Sequence, residues 1–177
     1  MPLIILIAIS LSMDAFSLSL AYGTLNLEKK AILNLSFIVG IYHFIMPLLG
    51  MVIGSTIINI LPIKPSIIVF IILVLIGIQM IIESFKEIEV THLMTIKALL
   101  LFGFVVSVDS FSVGIGLKTI SDNYYLSALI FSISSFIFTY LGLILGKKIN
   151  RLIGKTSTLI GGIILIIIGI FYFISDK

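Results

Sequence analysis

Asp14 and Asp109 stand in near-copies of one phrase, SMDAFS and SVDSFS, and each interrupts a run of apolar residues. An acid at the centre of a bilayer costs roughly 2.5 to 3.5 kcal/mol on insertion scales. A chain that bears this cost twice in the same wording has a use for both carboxylates, and the use they suggest is a polar path through a membrane. Two carboxylates at close range repel and one stays protonated, whereas a divalent cation between them neutralises both. Oxygen ligands suit hard cations such as Mg2+, Ca2+ and Mn2+, and an added imidazole moves the preference toward Mn, Fe or Zn. His43 could supply that nitrogen, or it could simply hydrogen-bond a neighbouring helix. Ser17 and Ser112 follow their aspartates at i+3, so each half offers a carboxylate and a hydroxyl on one helix face.

The elements that position these groups follow from composition. Hydrophobic residues make up 60% of the 177-residue chain and charged residues 11%, with a mean hydropathy of +1.33. Ordinary soluble domains carry about 25% charged residues. Apolar runs fall at about 2–22, 32–58, 66–85, 95–117, 125–146 and 157–175, each near the roughly 20 residues that cross a bilayer. Between them lie Asn, Pro and charged residues that hydrocarbon does not tolerate, such as Glu28 with Lys29 and Lys30, or Pro62 with Lys64 and Pro65. The expected fold is an all-α integral membrane protein, a single membrane domain over residues 1–177 with six transmembrane helices.

The first run lacks a basic leading region and exceeds the 7 to 15 apolar residues of a signal peptide, so it is expected to remain as a span. The loops after spans one, three and five hold Lys29, Lys30, Lys86, Lys97, Lys147, Lys148, Arg151 and Lys155, against Lys64, Lys118 and Lys177 on the other side. The positive-inside rule then places those loops in the cytoplasm and both termini outside. The net charge of +3 is small and its basic residues lie in loops, which gives nucleic acid binding little support. Cysteine is absent, which removes disulfides and thiolate metal sites.

The repeat extends beyond the aspartates. PLLGMVIG, ending in Gly54, aligns with TYLGLILG, ending in Gly146, so that Gly50 falls on Gly142 at an offset of 92. Both are GxxxG faces, expected to serve close helix packing rather than chemistry. Gly77 and Gly169 align at the same offset. The chain therefore reads as two three-helix repeats, about 1–87 and about 94–177, and because three is odd the copies face opposite ways. Inverted repeats of this kind recur in secondary transporters, with the substrate near the midplane. Asp14 and Asp109 lie about 12 and 14 residues into their spans, or roughly 18 to 21 Å along helices that cross about 30 Å of hydrocarbon.

Glu83 lies near the cytoplasmic end of span three, where it could snorkel to water beside Lys86 or face the bundle. In the second case it would form, with Gln79 one turn earlier, an inner vestibule that gathers cations or passes protons. Asn34, Tyr42, Thr139 and Tyr140 are expected to make interhelical hydrogen bonds, and Met13, Met46 and Met80 to pack rather than bind a soft metal. No nucleotide-binding motif is present, so the chain carries no ATP site of its own.

SMDAFSLSLAYG (12–23), GIYHFIMPLLG (40–50), GIQMIIESF (77–85) and SVDSFSVGIGL (107–117) together resemble the bacterial manganese efflux pump family, MntP. The likeness covers essentially the whole chain, and the paired SxDxF phrases are its most specific part. It implies a multi-pass exporter of Mn2+ in the bacterial plasma (inner) membrane, with Asp14 and Asp109 at the family's essential midmembrane acids and Glu83 at an acid common in the family. Two positions depart from the pattern: His43 stands where an acid or amide is expected, and Gln79 where a basic residue is frequent. Both bear on metal choice.

The expected function is secondary transport rather than enzymatic catalysis. Mn2+ would be substrate with no prosthetic group, and protons could serve as counter-ion. Alternatives are export of Cd2+, Ca2+ or an amino acid, or a non-transporting membrane protein of the sporulation type. A channel would use similar acids but conduct passively. An intramembrane aspartyl protease also needs two facing aspartates, but its YD and GxGD settings are missing here.

Overall fold

A computed structural model of the chain describes residues 2–23, 27–60, 65–85, 96–146 and 151–175. Among them all regular structure is helical: α1 (Pro2–Gly23), α2 (Lys29–Ile60), α3 (Pro65–Ser84), α4 (Ile96–Val106), α5 (Val108–Ile115), α6 (Leu117–Ile120), α7 (Tyr124–Leu145) and α8 (Arg151–Ser175). Three stretches are long and apolar enough to cross a membrane, Pro2–Gly23, Lys29–Thr56 and Tyr124–Leu145. Ser66–Ile82, Leu99–Ile115 and Thr158–Phe171 are shorter apolar helices among the described residues.

The helices turn large apolar side chains outward. Phe37, Leu101 and Phe171 are 62, 63 and 68% exposed, and Ile5, Val52, Leu75 and Ile137 are exposed as well. An outer surface of this kind is stable against lipid rather than water.

Inside, the apolar side chains gather in two clusters. One joins Ile4, Ile7 and Leu11 of α1 to Leu73 of α3, Val113 of α5 and Leu165 of α8. The other joins Ala15 and Tyr22 of α1 to Leu35 and Val39 of α2 and to Phe102 and Val106 of α4. Asp14 therefore follows the last α1 residue of the first cluster by one turn and precedes Ala15 of the second. Asp109 lies between Val106 of the second and Val113 of the first.

Helix pairing is set by residues too small to hold the backbones apart. A Cβ on Gly50 would strike the Phe111 carbonyl oxygen, and one on Gly54 would strike the Ile115 carbonyl oxygen, so α2 lies directly on α5. A Cβ on Gly142 would come 2.8 Å from the Phe16 carbonyl oxygen, and one on Gly146 would strike that of Leu20, so α7 lies on α1 in the same manner. Phe16 and Leu20 are two and six residues beyond Asp14, and Phe111 and Ile115 are two and six beyond Asp109. Helices α3 and α8 pair with each other, with a Cβ on Gly77 meeting the Gly162 carbonyl oxygen at 2.6 Å and one on Gly169 meeting that of Phe70 at 3.4 Å.

The fourth apolar run is not one continuous helix. It breaks at Ser107, whose φ of −102° and ψ of 2° leave the helical region, and again at Gly116. The Ser107 amide donates to Phe104 three residues back, at 3.1 Å, and the Ser107 hydroxyl donates to the same carbonyl at 3.0 Å. A serine able to satisfy its own turn offers the backbone an alternative to the helical ladder, which hydropathy does not register.

Candidate functional site

The break at Ser107 begins a new helix two residues before the acid. Asp109 sits in the first turn of α5, where its Oδ1 accepts the Ser110 amide at 2.6 Å. Amides at a helix N-terminus favour a negative side chain, so the broken helix holds a carboxylate that a continuous helix would leave in apolar surroundings.

Opposite it stands His43 of α2, fully buried, with Nε2 4.0 Å from Asp109 Oδ1. That distance is beyond hydrogen-bond reach. Its Nδ1 lies 3.0 Å from the Val39 carbonyl oxygen one turn back. A carbonyl can only accept, so Nδ1 carries the hydrogen, and in the neutral ring Nε2 presents its lone pair. His43, Pro47, Gly50 and Gly54 form one stripe at i, i+4, i+7 and i+11, and Pro47 closes on Gly114 as the glycines do on Phe111 and Ile115. The packing stripe thus also aims the imidazole. Pro47 lies inside α2 and has no N–H to give the His43 carbonyl four residues back.

The equivalent stripe on α7 is Ser135, Thr139, Gly142 and Gly146, and it faces α1. Here hydroxyls take the place of the imidazole. Ser12 Oγ, two residues before Asp14, donates to the Ala8 carbonyl at 2.7 Å and lies 2.8 Å from Ser134 Oγ and 3.2 Å from Ser135 Oγ. Asp14 itself is half-buried. Sequence reasoning missed this group, although the SISSF run (132–136) inside an apolar span was a signal. Replacing Ser12 with Ala should destabilise the fold by about 1 kcal/mol, the scale of interhelical hydrogen bonds in membranes. Thermal unfolding in detergent measures this, and unchanged stability would mean that the three hydroxyls contribute nothing.

Of the other residues singled out, Ser17 is buried. Ser112 is half-buried, with its hydroxyl donating to the Val108 carbonyl at 3.4 Å. Gln79 lies on an exposed face of α3 with Leu75, Ile78 and Ile82. The Glu83 side chain lies outside the described residues. Buried Thr139 Oγ1 has no hydrogen-bond partner among the described residues, so the expected interhelical bond is not formed there. Among the described residues no group of three or more His, Cys, Asp or Glu side chains gathers as a cage. The structure brings His43 of α2 to within 4.0 Å of Asp109 of α5, and it packs α1, the helix that bears Asp14, against α7 and α8.

Apolar outer faces on helices long and apolar enough to cross a bilayer define a multi-pass helical membrane protein. Residues 26–173 match the model of the family described as "Putative manganese efflux pump", Mntp. A relative from Bacillus pumilus, named as such a pump, is 37% identical over 166 residues, covering 93% of this chain and 90% of its own. One from Methanobrevibacter smithii is 37% identical over 171 residues, 94 and 93% of the two chains, and one from Oceanobacillus iheyensis 38% over 173 residues, 97 and 95%. The chain belongs to the MntP family. No solved structure matches it.

Proposed function

We propose that this chain is a secondary transporter that carries Mn2+ out of the cytoplasm by alternating access, with Asp14 and Asp109 as the carboxylates that bind the ion. The observation that carries the proposal is the like packing of the two aspartate helices. Each aspartate lies at the boundary between the same two apolar clusters, and each is followed at two and six residues by carbonyls against which a GxxxG stripe closes. The Gly77–Gly162 and Gly169–Phe70 contacts add a third correspondence at the offset of 92. These recurrences support six spans in two inverted three-helix repeats, about 1–87 and 94–177, with span four made of α4 and α5.

Rocking of one repeat against the other would carry the ion between the two faces, with Ser17 and Ser112 supplying hydroxyls or steadying the carboxylates. Glu83 would gather cations or pass protons at the cytoplasmic end, whereas Gln79, on the exposed face of α3, does not turn toward the bundle as a vestibule would need. Carboxylates that exchange a proton for a metal would make protons the counter-ion, and the lysine-rich loops would lie inside with both termini outside. Manganese and outward direction come from the names of the relatives.

Reconstituted vesicles offered Mn2+, Cd2+, Zn2+, Ca2+ and lysine test the proposal. Mn2+ should cross faster than Ca2+, and an imposed proton gradient should change its rate. Movement of lysine in place of any metal would refute the proposal, and a steady current would make the protein a channel. Absence of any flux, with cellular manganese tolerance unchanged on deletion, would leave the non-transporting alternative.

A further inference from the structure

We infer that His43 Nε2 and Asp109 Oδ1 bind the transported ion together, which makes the substrate a cation that accepts imidazole, such as Mn2+, Fe2+, Co2+ or Zn2+, in preference to Mg2+ or Ca2+. This rests on the assignment of Asp109 as a cation ligand in the proposed function. Three features point the imidazole at a metal. Its Nδ1 is held by the Val39 carbonyl at 3.0 Å, the arrangement that fixes the ring of metal-ligating histidines through the other nitrogen. Its Nε2 is buried and has no hydrogen-bond partner among the described residues. Buried polar atoms are rarely left so without a ligand or water.

The third feature is distance. Nitrogen and oxygen bonds of about 2.1 Å to one metal span roughly 3.5 Å at a tetrahedral angle. The observed 4.0 Å needs a closure of about half an ångström, which side-chain rotation supplies. Helix motion is not required, because the backbones of α2 and α5 are already in contact at Gly50 and Gly114. Asp109 is oriented from the other side by the Ser110 amide. Hard cations such as Mg2+ and Ca2+ gain little from imidazole, whereas first-row transition ions gain a strong ligand. The α1–α7 side has hydroxyls at the equivalent place, so the nitrogen belongs to one repeat alone.

The test uses the full chain in detergent, without a histidine tag, and with His92→Ala so that the second histidine contributes no imidazole. Pulsed electron paramagnetic resonance of added Mn2+ should show 14N coupling from one directly bound imidazole. His43→Gln should abolish that coupling and weaken Zn2+ and Co2+ on the order of 10-fold, with Ca2+ affinity changed less than about 2-fold. Mn2+ that binds, depends on Asp109 and shows no 14N coupling would overturn the inference and leave the aspartate assignment standing. Mn2+ that fails to bind, or binds equally to Asp109→Asn, would overturn both. The wild-type spectrum decides the matter even if His43→Gln does not fold.

Discussion

Asp109→Asn should abolish transport while leaving the fold intact. The amide oxygen of Asn can still accept the Ser110 N–H that Asp109 Oδ1 accepts at 2.6 Å, so the first turn of α5 keeps its support. Removal of a charge from a helix inside the bilayer also lowers the cost of insertion. What is lost is the negative charge that the proposed site uses to bind a divalent cation. Outer-shell partners of metal sites are worth 10 to 100-fold, so loss of a direct carboxylate ligand should cost on the order of 100-fold or more in Mn2+ flux. Asp14→Asn should lose a comparable amount, because α1 is packed on α7 as α5 is on α2. Vesicle flux beside thermal stability in detergent separates charge from folding. If Mn2+ still binds to the inactive Asp14→Asn protein, that acid carries protons; if binding goes too, it is a ligand. Undiminished flux in both variants would refute a site built on the aspartates.

Gly50→Ala and Gly146→Ala should each be strongly damaging, although only a single methyl group is added. At Gly50 the new carbon would run into the Phe111 carbonyl, with Gly114 Cα at 3.1 Å. At Gly146 it would run into the Leu20 carbonyl, with Gly23 Cα at 2.9 Å. All four obstacles are backbone, so no side chain can swing aside and the helices must separate. Overpacking of this kind costs about 3 kcal/mol. At Gly40 the nearest atoms, Phe136 Cβ and the Ser132 carbonyl oxygen, stand 3.3 Å away, and Gly40→Ala should cost much less than Gly50→Ala. The chain has no tryptophan, so size-exclusion after stepwise heating is a suitable measure. Equal stability of Gly40→Ala and Gly50→Ala would mean that close approach does not hold the bundle. Because Gly50 shares its stripe with His43, a separated α2 would also widen the gap from Nε2 to Asp109.

The sequence alone determined what depends on composition and on position along a helix. Hydropathy sums over twenty residues, so the apolar runs and the membrane character were legible without coordinates. Rise per residue is fixed, so the places of Asp14 and Asp109 along their apolar runs were legible too, as was the doubled GxxxG pattern. Family membership was carried by the same phrases. The tertiary structure decided what depends on helix rotation and on pairing between segments far apart in the chain. It turned the Gly50 stripe to α5 and the Gly142 stripe to α1, and it broke the fourth run at Ser107, where a hydroxyl competes with the helical ladder. It also grouped Ser12, Ser134 and Ser135, which no spacing rule connects. Above all it settled which way the His43 ring faces. A histidine in an apolar span is equally consistent with a helix contact or a ligand, and only the position of the Val39 carbonyl behind the ring and Asp109 in front of it distinguishes its two nitrogens.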